Sequence, residues 1–244
     1  MEREYMPFDL SAKREESAYE KFLKRPFDCF CAFCAIVVLS PILLVTAYLV
    51  RTKLGSPIIF KQPRPGLNEK VFTLYKFRTM TDERDENGKL LPDEIRLTKF
   101  GATLRNTSLD ELPELFNILL GDMAVIGPRP QLVRDMVFMT PEQRKRHLVR
   151  PGLSGLAQVN GRNAISWENK LKYDLEYMKN ISLAEDVSII FQTINKAFVH
   201  QEDINADDFA TAEDYGDMLL RTGQISQECY DKGQALAKEI IEKM

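Results

Sequence analysis

Two adjacent carboxylates, Asp110 and Glu111, stand in the stretch from Arg105 to Pro130, which reads RNTSLDELPELFNILLGDMAVIGPRP. Pro113 follows them, and then Leu115, Phe116, Ile118, Leu119 and Leu120 recur at helical spacing. Proline suits the first turn of a helix, so the pair is expected at or just before a helix N-terminus, where negative charge is favoured. An ionised carboxylate placed there could attack an electrophile or bind a metal beside a phosphate. A plainer reading stands next to this one. Ser108 and Glu111 have the S-x-x-E spacing of a capping box, in which both side chains only satisfy the first turn.

Cations recur around this stretch. Residues 71–80, VFTLYKFRTM, read as a strand by their β-branched and aromatic content. Alternation puts Leu74, Lys76 and Arg78 on one face, where the two cations either clamp a phosphate or stay solvated. Arg129 stands between Pro128 and Pro130, which restrict the backbone and limit the entropy lost when Arg129 holds an oxyanion. Residues 150–163, RPGLSGLAQVNGRN, contain Arg150, Gln158 and Arg162 in a glycine-rich segment suited to polar ligand contacts. Its glycines do not follow the order of a Walker or Rossmann loop.

The elements that must position these groups begin with an apolar segment. Cys29 to Val50 is a run of 22 residues without a charge. A straight helix of that length rises about 33 Å, enough to span a bilayer core. The run is too long for a signal peptide, and no small-residue cleavage site follows it. Ser40-Pro41 falls near its middle, and Pro41 cannot donate to the carbonyl of Val37, so a kink or break is expected there. Both flanks are basic: Lys21, Lys24 and Arg25 before, Arg51 and Lys53 after. Positive flanks mark the cytoplasmic side, and two cytoplasmic ends call for a re-entrant hairpin rather than a span. Each half would rise about 15 to 18 Å, roughly half a bilayer.

The chain is long enough for one good core with appendages. Its net charge of −3 hides an asymmetry, because residues 201–244 hold eleven acidic and four basic side chains. The tail therefore carries −7 and the first 200 residues +4. A mildly basic body suits anionic lipid or phosphate-bearing ligands, and no motif points to nucleic acid. Cys29, Cys31 and Cys34 lie in the apolar run and Cys229 in the tail; thiolate ligands are costly in such a segment, so these read as buried free thiols in a reducing compartment. Residues 81–94 read as a mobile polar loop, and Thr140-Pro141 opens a short basic helix with Arg144, Lys145, Arg146 and His147. Trp167, Leu171, Leu175 and Met178 form one helical stripe; Val187, Ile190, Phe191, Ile194 and Phe198 form another, facing either core or membrane interface. A further amphipathic helix is expected near the C-terminus over Leu236 to Met244.

KRPFD with the later Ser40-Pro41, SPIIFKQPRPG, YKFRTM, RLTKFG, TSLDELPEL, GDMAVIGPRP and RPGLSGLAQVNGRN follow one another between Lys24 and Val199. In this order they resemble the bacterial sugar transferase family, the monotopic phosphoglycosyl transferases. The resemblance implies a mostly helical α/β fold, monotopic in the bacterial inner membrane at its cytoplasmic face, with a re-entrant helix hairpin and interfacial amphipathic helices. It implies transfer of sugar-1-phosphate from a UDP-sugar to polyprenol phosphate, with release of UMP and with magnesium as cofactor. Asp110 then aligns with the nucleophile and Glu111 with its partner, both as magnesium ligands. Lys76, Arg78, Arg105 and Arg129 are expected to hold phosphate oxygens, and Arg150, Gln158 and Arg162 the nucleotide or sugar. Membrane lipid is an expected partner, nucleic acid is not, and a homodimer stays open. The chain divides into a charged helix (1–25), the re-entrant segment (26–52), a catalytic domain (53–200) and an acidic tail (201–244) to which nothing carries over. Two other classes remain: a membrane-anchored scaffold whose dyad is only a cap, and a transferase of intact sugar, which would release UDP.

Overall fold

A π-helical turn, Tyr19–Lys24, runs directly into α1, Arg25–Lys53. The computed structural model describes residues 14–161, 165–199 and 213–244. The helix passes through Pro41 without interruption, so the expected break is not found. The local chemistry supplies the reason. Pro41 leaves the Val37 carbonyl without its usual donor, and the Ser40 hydroxyl takes that place, donating to Val37 O at 2.8 Å.

One side of α1 lies along the body from end to end. Ala32, with Ala35, Ile36 and Leu39, packs against Leu74, Leu115 and Ile118. Leu43, Ala47, Val50 and Leu54 pack against Phe77, Leu104 and Leu112. The other side exposes Phe30, Phe33, Val38, Leu44 and Tyr48, each more than half exposed. The basic flank does structural work as well. Lys24 Nζ donates to Ile126 O at 3.1 Å and pairs with Asp186 at 2.6 Å, while Arg25 donates to the carbonyls of Ile118 and Leu119.

The body follows. Antiparallel β1 (Ile59–Pro65) and β2 (Val71–Phe77) pair along their whole length. Strand β1 continues past the apolar Ile59 and Phe60 to Pro65. It admits Pro63 and Pro65 because β1 is an edge strand, where a missing N–H need not break a ladder. Residues 81–94 hold local order: Asp85 Oδ1 accepts from the backbone N–H groups of Asn87 and Lys89, closing the turn at Gly88. Short α2 (Asp93–Arg96) leads to α3 (Lys99–Asn106), whose N-cap Thr98 accepts from Gly101 N. A 3₁₀ turn, Leu109–Glu111, then precedes α4 (Glu114–Leu120).

Parallel β3 (Ala124–Ile126) and β4 (Gly152–Ser154) form a second small sheet. The strands come so close that a Cβ on Gly152 would lie 2.1 Å from Gly127 N. Between them lie α5 (Val133–Met136), α6 (Pro141–Arg144) and a 3₁₀ turn, Lys145–Leu148. After β4 come α7 (Leu156–Val159), α8 (Trp167–Lys179) and α9 (Leu183–Val199). The α8 stripe packs inward as expected, with Leu171 and Met178 buried. On α9 the fully buried residue is Ile189, outside the expected stripe, while Phe191 and Ile194 stand exposed; Phe198 lies outside the described side chains. Finally α10 (Tyr215–Arg221) and α11 (Gln227–Glu242) pack on α5. At the C-terminal end Leu236 and Ile240 pack against that core, whereas Ile241 and Met244 turn outward.

Candidate active site

The carboxylate pair lies in the 3₁₀ turn, ahead of a helix only seven residues long. The capping box does not form. Ser108 is in the left-handed region, φ 54°, and its side chain makes no capping bond. The Glu111 carboxylate is drawn instead toward side-chain cations: its Oε1 accepts from Lys76 Nζ at 2.8 Å and from Arg129 Nη2 at 2.6 Å. Lys76 Nζ also lies 3.2 Å from Glu114 Oε1.

These partners separate the charges of three neighbouring acids. Burial alone would raise Glu111, but Arg129 and Lys76 outweigh it and hold its carboxyl well below the usual carboxylate range. Burial pushes Glu114 up to about 7, with Lys76 opposing and Glu111 adding to the rise. Asp110 is buried, 8% exposed, and among the described residues its carboxylate has no hydrogen-bond or ion-pair partner. Burial first, and then the charge of Glu111, push it up to about 6 against Lys76, Arg129 and Arg105. Asp110 is thus less acidic than an ordinary aspartate, because Glu111 has taken up the cations that would have held it down. At neutral pH Asp110 is still an anion, and no donor occupies its oxygens.

Each member of this cluster is placed by its element. The amide of Asn117, fully buried on α4, accepts from Tyr75 N at 3.0 Å and donates to Thr73 O at 2.8 Å. It thus acts as one more strand partner for β2 and holds Lys76 in register with the dyad turn. Arg129 is fixed through its backbone. Arg146 Nη2 donates to Arg129 O at 2.6 Å, and Arg64 Nη1 donates to Pro130 O at 3.0 Å. Arg146 is itself buried and bonded to Asp174 at 2.9 Å. The 3₁₀ winding of 145–148 turns Arg146 and His147 inward, so the helix expected to be a basic surface is mostly interior, with Arg144 and His147 gathered on Glu69.

A cavity of about 680 Å³ opens beside the dyad, within the size range of small-molecule sites. Glu111, Arg105, Arg129 and Gln158 line it. Arg105 Nε donates to Thr79 Oγ1. Both amide atoms of Gln158 are buried with no partner among the described residues, as are Asn106 Oδ1 and Arg64 Nε on the same walls. Buried polar atoms are rarely left so, and several along one cavity mark it for a polar ligand. Two expected cations stand elsewhere. Arg78 follows the end of β2, where alternation stops, and bonds to the carbonyls of Leu54 and Ser56 and to Asp82. Arg150 Nε donates to Gly121 O, and neither arginine lines the cavity. Arg162 lies outside the described residues. Sequence reasoning passed over Arg64, although Pro63-Arg64-Pro65 repeats the pattern of Pro128-Arg129-Pro130. Asn117, Arg146 and Asp174 carry no local signal, because the partners through which they place the site are 17 to 44 residues away.

A long helix with one apolar exposed side is joined to a body that sets a carboxylate pair among lysine and arginine, an arrangement compatible with a membrane surface and an anionic ligand. The chain belongs to the bacterial sugar transferase family, whose model matches residues 19–200. It is 52% identical over 191 residues to the uncharacterized sugar transferase EpsL of Bacillus subtilis, covering 78% of this chain and 94% of that protein. It is 39% identical to the UDP-glucose:undecaprenyl-phosphate glucose-1-phosphate transferase of Klebsiella pneumoniae, covering 73% of this chain. It is equally similar, at 39%, to the UDP-N-acetylgalactosamine-undecaprenyl-phosphate N-acetylgalactosaminephosphotransferase of Aeromonas hydrophila, covering 71% of this chain. The chain spans 40% and 43% of the length of those two proteins.

Proposed function

We propose that this chain transfers a sugar-1-phosphate from a UDP-sugar to a polyprenol phosphate through a phosphosugar ester on Asp110, as the first membrane step of a bacterial surface glycan. One observation carries the reading: Asp110 is a buried carboxylate with no partner among the described residues, beside a Glu111 already neutralised by Lys76 and Arg129. A nucleophile needs free lone pairs, and a diphosphate needs cations within reach. A carboxylate oxygen of Asp110 attacks the sugar-bearing phosphorus, and the bond to the UMP oxygen breaks, with its electrons leaving on UMP. A phosphate oxygen of the polyprenol phosphate then attacks the same phosphorus, and the Asp110 carboxylate is regenerated. Lys76, Arg129 and Arg105 offset charge on the phosphoryl oxygens. The donor set suits magnesium, which favours one or two carboxylates completed by substrate phosphates and water. Asp110 and the outer oxygen of Glu111 would hold it, and it would neutralise the diphosphate.

The membrane arrangement belongs to the same proposal. Both ends of α1 are tied to the body, through Lys24 and Arg25 at one end and Val50 and Leu54 at the other. A helix whose ends both hold one polar domain keeps both ends at one face, here the cytoplasmic face of the inner membrane. The exposed apolar residues of α1, with Phe191 and Ile194 of α9, then meet lipid.

The test is a single-turnover experiment. Purified protein incubated with its UDP-sugar and no lipid acceptor should release one equivalent of UMP and gain a phosphosugar mass on the peptide bearing Asp110. Asp110→Asn should abolish both, and Glu111→Gln should slow the burst. Release of UMP only when acceptor is added, with no adduct, would overturn the two-step route; release of UDP would show transfer of intact sugar.

A further inference from the structure

The two C-terminal helices lie beyond the residues matched by the family model, yet Asp214, the N-cap of α10, lines the cavity. Their docking is specific. Tyr215 N donates to Asp135 Oδ1 at 2.8 Å, and Trp167 Nε1 donates to Glu213 O at 2.8 Å. Phe138 is seated between α10 and α11, where a Cβ on Gly216 would lie 2.5 Å, and on Gly233 2.4 Å, from its ring. Its ring stacks on Tyr230 with centroids 5.8 Å apart.

This docking brings Asp214, the N-cap of α10, into the cavity lining beside Arg64, Asp135, Trp167 and Lys170. The Asp214 side chain is only 13% exposed, and its Oδ2 pairs with Arg134. Asp135 has both oxygens engaged, by Tyr215 N and Leu132 N. Asp214 Oδ1 therefore remains as the carboxylate oxygen of this wall with no partner among the described residues. Arg64, which holds the Pro130 carbonyl, is within electrostatic reach of both Arg129 and Asp214. The cavity lining thus holds arginines together with Glu111 and, at Asp214, a carboxylate oxygen with no partner among the described residues, groups that suit a diphosphate and a polyhydroxyl ring.

We propose that the C-terminal helical pair completes the donor site, with Asp214 accepting hydrogen bonds from a vicinal diol of the nucleotide sugar while Arg129 faces its diphosphate. The inference rests on the function proposed above. The diol belongs to the hexose or to the ribose; the chemistry of recognition is the same. A wall built to bond hydroxyls discriminates against a donor that lacks them.

The experiment uses the full chain in lipid nanodiscs and measures kcat/KM for UMP release from three donors: the preferred UDP-sugar, its analogue deoxygenated on the hexose, and its 2′-deoxyribose analogue. Asp214→Ala is compared with Arg134→Ala, which removes the ion pair without touching the cavity lining. Asp214→Ala should lose about ten- to a hundredfold on the preferred donor, the size of one charge-assisted hydrogen bond. On the analogue lacking the recognised hydroxyl it should match the wild type, and which analogue does so identifies the ring. An equal loss on all three donors, or the same pattern from Arg134→Ala, would overturn the proposal, because either would mark Asp214 as a support for the tail only. If the wild type releases no UMP from any UDP-sugar, the underlying reading fails and this inference with it.

Discussion

Asp110 illustrates how one residue can be costly to the fold and, under the proposed function, necessary to its chemistry. Its carboxyl is raised from an ordinary 3.8 to about 6, chiefly by burial. A raised acid favours the protonated form in the native state, so its stability contribution is full below pH 4 and is lost as pH rises through about 6. Ionised at neutral pH, it costs about 2 to 3 kcal/mol, at 1.36 kcal/mol per unit. Asp110→Asn should therefore melt several degrees above the wild type at pH 8, while the two converge near pH 3.5. The UMP burst of the wild type should rise through about pH 6 as the nucleophile ionises. Thermal unfolding of both proteins at the two pH values checks the first claim; an equal difference at both would remove burial of the charge as the cause.

At the scale of elements, α1 poses the sharpest question. A proline at its centre leaves the Val37 carbonyl without a backbone donor, in a segment whose outer side is apolar. The Ser40 hydroxyl is its substitute at 2.8 Å. Ser40→Ala should cost about 1 to 3 kcal/mol, the penalty of an unsatisfied carbonyl in an apolar setting. Pro41→Ala restores the N–H and makes the hydroxyl redundant, so in that background the serine substitution should cost little. A double-mutant cycle on thermal unfolding in nanodiscs reads the coupling directly. Independent, additive costs would mean that the serine is not serving the carbonyl.

The whole molecule makes a statement about topology. Because both ends of α1 are bonded to one body, single cysteines at Ser17 and Ser56, both exposed, should share one side of the membrane. In a background without the four native cysteines, an impermeant thiol reagent on intact cells should label neither, and both should react after the cells are opened. Labelling of one alone would mean that the helix crosses.

Much of this was legible in the chain itself. The apolar segment, the β2 strand, the α8 stripe and the dyad are local in sequence, and period and spacing carry such information. The P-R-P triplet likewise announces a rigid arginine at position 129. What remained was decided by contacts across the fold. Whether Glu111 capped a turn or received cations depended on Lys76 and Arg129, which lie 35 and 18 residues away. The acidity of Asp110 depended on burial, which no local pattern reports. Alternation extended Lys76 correctly to the dyad but failed at Arg78, because β2 ends at Phe77. Asp214, in a tail that reads as acidic by composition, reached the cavity wall only through Phe138, Tyr215 and two glycines meeting in three dimensions. Sequence by itself determined which groups were available and which elements could carry them. The tertiary structure decided which charges neutralise one another, and it left the buried Asp110 carboxylate without a partner among the described residues.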